Sequence, residues 1–191
     1  MAITALYFGS FNPFHNGHLA VAEYVVGEGL AEEVWFVVSP HNPHKATSEL
    51  APEQMRLEMA RRAIEGKRGL KVCDVEFAME RPSYTIRTIR HLKQLYPERE
   101  FAILGGGDVA RTIATWREGE RLMSENRILI YPRESDESFG EPFVMLARAP
   151  KMDVSSTKVR RLIAEGGKWQ MLVPEVVAEY ITKHKIYMEN N

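Results

Sequence analysis

"GSFNPFHNGH", residues 9–18, sets two histidines three positions apart in a loop punctuated by two glycines and a proline. The residues before it, "ITALYF" (3–8), form a short apolar run that reads as a strand. Those after it, "LAVAEYVVGEG" (19–29), read as a helix that stops at glycine. A strand, a tight loop and a helix in succession open an α/β unit. The loop therefore leaves the carboxyl end of the first strand, where open α/β sheets bind their ligands.

Working outward, apolar runs recur at "VWFVV" (34–38), "LKVCDV" (70–75), "FAIL" (101–104), "RILIY" (127–131) and "FVMLA" (143–147). Helical spacing fills most of the gaps between them. Met55, Met59, Ala60, Ala63 and Ile64 make one apolar face over 52–66, and Val176, Val177, Tyr180, Ile181 and His184 make another over 174–184. Strands alternating with helices predict an α/β fold, a parallel sheet covered by helices on both faces. The polar stretch "RESDESFGEP" (133–142) reads as a surface loop between the last two strands.

The chain has 191 residues, 45% of them hydrophobic and 27% charged, with a formal net charge of −1. This length suits a single domain over 1–191 that folds without a metal or disulfide staple. The near-zero charge provides no global field for a polyanion, so no nucleic-acid partner is expected and any phosphate site must be local. The one cysteine, Cys73, reads as an inert strand thiol. No run approaches membrane-span length and no signal-peptide pattern stands at the N-terminus, which predicts a cytoplasmic protein. Composition leaves room for a homo-oligomer.

Within the opening motif, Gly9 and Gly17 allow the backbone close to a ligand, and Pro13 stiffens the loop. His18 falls in the first turn of the helix, where free N–H groups and the helix dipole favour an anion. His15 and His18 can then point at one bound group as hydrogen-bond donors and stabilise charge building on a phosphate oxygen. Three other readings compete. With His41 and His44 of "HNPH" the pair could bind zinc. It could be ordinary surface histidine. A G-x-G-x-x-G dinucleotide loop is the third, and the glycine spacing argues against it.

Further along, "DVSSTKVRRLI" (153–163) places Ser155 as an N-cap before an apolar face of Val159, Leu162 and Ile163. Hydroxyls and free N–H groups there, with Lys158 and Arg160 nearby, suit a polyphosphate, although Ser-Ser-Thr before a helix is often only a cap. After "FAIL", the run Gly105, Gly106, Gly107 could present backbone N–H groups at a strand end. Asp108 could accept hydrogen bonds from ribose hydroxyls. Trp116 offers a flat face to an aromatic ring, or else packs in the core. Thr85 could bond a ligand from the start of its helix, or simply cap it.

Taken together, these segments resemble the nucleotidyltransferase superfamily that carries the H-x-G-H motif. "GSFNPFHNGH" with its Asn-Pro pair is similar to the nicotinate-nucleotide adenylyltransferases in particular. "VSSTKVR" resembles the superfamily's I-S-S-T-x-[IV]-R element. "SPHNPHK" (39–45), "RPSYTIRTIRHL" (81–92) and "LGGGD" with the downstream tryptophan resemble that family's intervening motifs.

The resemblance implies a Rossmann-like, doubly wound single domain that transfers the adenylyl group of ATP to nicotinate mononucleotide, with Mg²⁺, in NAD biosynthesis. It implies His15 and His18 as the catalytic pair. Gly9, Ser10, Phe11, Asp108, Ser155, Ser156, Thr157 and Arg160 would bind ATP. Asn12, Lys45, Thr85, Gly106 and Trp116 would bind the mononucleotide. Arg87 departs from the pattern, since the family has aspartate there. Phosphopantetheine adenylyltransferase shares both phosphate motifs, but Asn12-Pro13 and the Thr85–Trp116 constellation count against it. A nucleotide sensor without catalysis is the alternative from another class.

Overall fold

The apolar runs become strands because each lies between two helical layers and can be apolar throughout. The computed structural model describes residues 2–40, 50–132 and 138–188. Six strands, β1 (Ala2–Gly9), β2 (Glu33–Val38), β3 (Leu70–Cys73), β4 (Arg99–Gly106), β5 (Arg127–Tyr131) and β6 (Phe143–Met145), form one sheet in the order β3-β2-β1-β4-β5-β6. Every neighbouring pair runs parallel, and Leu6 of β1 stands opposite Trp35 of β2 on one side and Ile103 of β4 on the other.

Side chains alternate across this sheet, so the two faces have separate cores. Ala5, Tyr7, Phe36, Leu104 and Leu129 face one layer. It contains α1 (Asn16–Gly27), α2 (Glu53–Ile64), α6 (Ser156–Ala164) and α7 (Glu175–His184). Leu6, Trp35, Val37, Ile103 and Ile130 face the other, with α3 (Thr85–Leu95) and α5 (Gly119–Glu125). The short α4 (Gly107–Thr112) continues directly from β4.

The chain winds outward from β1 to β3 and then returns to β4 on the other side of β1. Strand order thus reverses between β1 and β4, and the crevice beyond their carboxyl ends is open to a ligand. Among the described residues no helix is long and apolar enough to cross a membrane.

Several boundaries differ from the sequence reading. β3 ends at Cys73, and a 3₁₀ turn over Val75–Ala78 replaces its predicted last residues. Cys73 is half-buried, and burial pushes its thiol up to about 11, so it is largely unionised at neutral pH. β4 runs on through Gly105 and Gly106, pairing with Ile130 and Tyr131. On α7 the buried face is Val177, Ala178 and Ile181, while Val176 is exposed and the His184 ring lies tilted against Tyr180 at the surface. Residues 133–137 of the expected surface loop lie outside the described residues.

Candidate active site

His15 caps α1 and His18 is its third residue, and each ring serves the other's backbone. His18 N–H donates to His15 Nδ1 at 3.3 Å, and His15 N–H donates to His18 Nδ1 at 3.1 Å. This is a capping box built from two histidines instead of a hydroxyl and a carboxylate. The rings stack at 3.5 Å between centroids with 16° between planes. Because each Nδ1 accepts an N–H, the proton of each neutral imidazole resides on Nε2. The pair therefore presents two Nε2–H donors.

The packing around the pair explains the motif's other residues. A Cβ on Gly17 would come within 2.9 Å of Val154 and 3.1 Å of the His15 ring, so glycine is what lets the imidazole lie flat on α1. Phe11 has φ 45, a left-handed conformation costing about 1–3 kcal/mol. It turns its buried ring among Tyr7, Phe14 and Phe36, with the His18 ring edge-on at 5.0 Å. Burial of that aromatic surface offsets the strain.

The start of α6 is fastened to the same loop. Ser155 caps the helix, its Oγ accepting Lys158 N–H at 3.1 Å. Ser156 Oγ donates to the Pro13 carbonyl at 2.9 Å, and Arg160 Nη1 donates to the Asn12 carbonyl at 2.8 Å. These two bonds draw together motifs that are more than a hundred residues apart in the chain. His15, His18, Ser155, Ser156, Thr157 and Arg160 all line one cleft of about 1110 Å³. Lys158 turns out of it to pair with Asp153.

Across the cleft stand Thr85, Asp108 and Trp116, with Gly9, Ser10 and Phe11 on its floor. Thr85 begins α3, Asp108 is exposed in the first turn of α4, and the half-buried Trp116 packs partly on the core. Two expected mononucleotide contacts require correction. Asn12 is buried and does not line the cleft. Its Oδ1 accepts Ala51 N–H at 3.0 Å and the Tyr187 hydroxyl at 2.7 Å, so the side chain braces the loop from behind. Gly106 is buried in β4 and is likewise absent from the wall. Neighbouring Gly105 is needed for helix packing, since a Cβ there would meet Val109 at 2.6 Å. Lys45, His41 and His44 lie outside the described residues.

The match to known proteins follows this architecture. Residues 6–162 fit the family model described as cytidylyltransferase-like. A Bacteroides fragilis protein named "probable nicotinate-nucleotide adenylyltransferase" is 48% identical over 167 residues, covering 85% of this chain and 83% of that one. A Flavobacterium johnsoniae protein of the same name is 40% identical over 187 residues, covering 95% and 97%. The chain belongs to the nicotinate-nucleotide adenylyltransferase family. Among solved structures, the Plasmodium falciparum nicotinic acid mononucleotide adenylyltransferase complexed with NaAD superposes with a TM-score of 0.83 over 98% of each chain. At 20% identity it is a likeness of fold.

In this member of the family, sequence reasoning missed several residues that shape the site. Arg56 is 1% exposed on α2, on the same face as Met59, Ala60 and Ala63, so its spacing could have marked it for burial although its charge argued against it. Its guanidinium donates to the carbonyls of Ser10, Ser39, Pro40 and Ala51 at 2.6–3.0 Å. It thus ties the loop after β1 to the loop after β2. Glu76, also buried, lines the cleft and accepts from the Thr88 and Ser83 hydroxyls at 2.8 and 2.7 Å. Lys151 and Arg117 add exposed cations to the wall. Arg87, the departure from the family pattern, pairs with Glu80 at 3.5 Å and does not line the cleft.

Proposed function

We propose that this chain transfers the adenylyl group of ATP to nicotinate mononucleotide, releasing pyrophosphate and forming nicotinate adenine dinucleotide. The observation that carries the reading is the stacked His15–His18 pair, its Nε2–H donors set in the same cleft as the start of α6. An oxygen of the mononucleotide phosphate attacks the α-phosphorus of ATP. The bond from that phosphorus to the bridging oxygen breaks, and the electron pair leaves with pyrophosphate.

Such a displacement asks the protein mainly for positioning and charge stabilisation. His15 and His18 donate to the α-phosphate as its charge redistributes, a role that depends on donors held in place beforehand. Thr157, Arg160 and the capped N-terminus of α6 receive the outer phosphates. Ser156 holds that helix start to the loop and Ser155 caps it, and both line the cleft. Asp108 accepts from a ribose, and Thr85 and Trp116 frame the pyridine ring.

Magnesium enters with the triphosphate. It is a hard cation satisfied by phosphate and water oxygens, so it needs no dedicated protein cage. Among the described residues no group of three or more histidine, cysteine or acidic side chains stands together to hold a metal. When bound, the ion neutralises charge on the triphosphate. A cytoplasmic location accompanies the same reading.

Pyrophosphate release with ATP and nicotinate mononucleotide tests the reaction. Turnover with phosphopantetheine in place of the mononucleotide would overturn the assignment within enzymes. Tight ATP binding without any release would favour the sensor.

A further inference from the structure

Two arginines approach the ring of Tyr84, the residue that precedes α3. Arg87 has its guanidinium carbon 5.7 Å from the ring centroid, and Arg117 has its own at 4.7 Å. Their surroundings differ. Arg87 is balanced by Glu80 and lies off the cleft. Arg117 lines the cleft beside Trp116, Tyr84 and Thr85, and among the described residues it has no carboxylate partner. The adjacent acid, Glu118, is engaged by Arg90 through both carboxylate oxygens and by Arg121. Glu76, the buried acid of the same wall, has both oxygens occupied by hydroxyls.

We propose that Arg117 determines specificity at the pyridine end of the cleft: its guanidinium, carried on the Tyr84 ring beside Trp116, selects a ring bearing a carboxylate over one bearing a carboxamide. This rests on the reaction proposed above.

The physical argument is one of donors and charge. A guanidinium has only N–H donors, arranged as a planar fork that matches the two oxygens of a carboxylate. A carboxamide of the same shape offers one oxygen and sets its own NH₂ against the fork. It also lacks the charge that strengthens such bonds. Stacking on Trp116 cannot separate the two rings, because their faces are alike. The glycines at 105–107, which the sequence suggested as donors, do not line the cleft. Among the described residues, Arg117 is the unneutralised cation adjoining the tryptophan. Its contact with the Tyr84 face limits the side-chain freedom it must lose on binding.

The test compares kcat/KM for nicotinate and nicotinamide mononucleotides in the wild-type enzyme and in Arg117→Ala, Arg117→Lys and Arg87→Ala. Arg117→Ala should lower the acid-to-amide ratio by about tenfold or more, the scale of one lost charge-assisted contact, through a higher KM for the acid. The KM for ATP should stay within about twofold in this variant, since the proposed contact is made to the mononucleotide. Arg117→Lys, keeping the charge without the fork, should give an intermediate ratio. Arg87→Ala should leave it as in the wild type. Arg117 is exposed and the Arg87 side chain partly so, and the variants should retain the wild-type melting temperature within a few degrees. An unchanged ratio in Arg117→Ala, with the wild type active on the acid, overturns this proposal alone. A wild type inactive on both mononucleotides overturns the reaction and this proposal with it.

Discussion

The hydroxyl of Tyr187 donates to Asn12 Oδ1 at 2.7 Å, joining the last described turn of the chain to the loop that carries the histidines. The same Asn12 accepts from Arg160 through its carbonyl and from the Ala51 N–H through its side chain. Four separate segments therefore meet at one buried asparagine.

Tyr187→Phe should lower stability by about 0.5–1.5 kcal/mol in urea unfolding, the net worth of a typical buried hydrogen bond. Burial also raises the Tyr187 hydroxyl above its usual value of 10.0. The unfolded chain then releases that proton first, so the contribution is complete below about pH 10 and is lost as pH rises further. Cys73, raised from 9.0 to about 11, adds the same sign between those values. Urea unfolding between pH 8 and 11 should show stability falling with pH in the wild type. The fall above pH 10 should be shallower in Tyr187→Phe.

The histidine pair has two duties that substitution can separate. Asparagine caps helices well, so His15→Asn should preserve stability while removing one Nε2–H donor. Turnover should drop by roughly 10²–10³-fold, as when one donor to a developing anion is lost. His18→Ala should show a similar drop with little change in the KM for ATP. Steady-state kinetics beside thermal unfolding would distinguish these effects, and near-normal turnover in either variant would remove the pair from the mechanism.

Trp116→Ala should raise the KM for nicotinate mononucleotide by about twofold to tenfold, corresponding to about 0.5–1.5 kcal/mol of ring contact. ATP affinity should hold nearly constant. Because Trp116 also packs partly on the core, some loss of melting temperature is expected. An equal loss of affinity for both substrates would mean that its contribution is packing alone.

Arg56→Ala should be among the most destabilising substitutions outside the apolar core. It strips partners from four backbone carbonyls, each costing about 1–3 kcal/mol when buried and unsatisfied. A midpoint in urea within error of the wild type would show that those carbonyls find other donors.

Much of the fold was legible because its signals are local. Six apolar runs separated by helical spacing can satisfy both faces of a parallel sheet, and all six became strands. The two phosphate motifs were equally legible, since glycine, proline and N-cap chemistry act over only a few residues. Boundaries were less so. β4 runs through two glycines because cross-strand pairing with β5 outweighs their low strand propensity.

The sequence by itself determined the order of strands and helices, the histidine-bearing loop and the family resemblance, all of which depend on near neighbours along the chain. Only the tertiary structure decided the surroundings of Asn12, Arg56 and Arg117. Asn12 braces the loop from behind instead of facing the cleft. Arg56 is buried against carbonyls from the connections that follow β1 and β2. Arg117 faces the cleft while Arg87 is balanced by Glu80. In each case the outcome depends on which distant donor, acceptor or ring the folded chain brings within a few ångströms, and no local pattern encodes that distance.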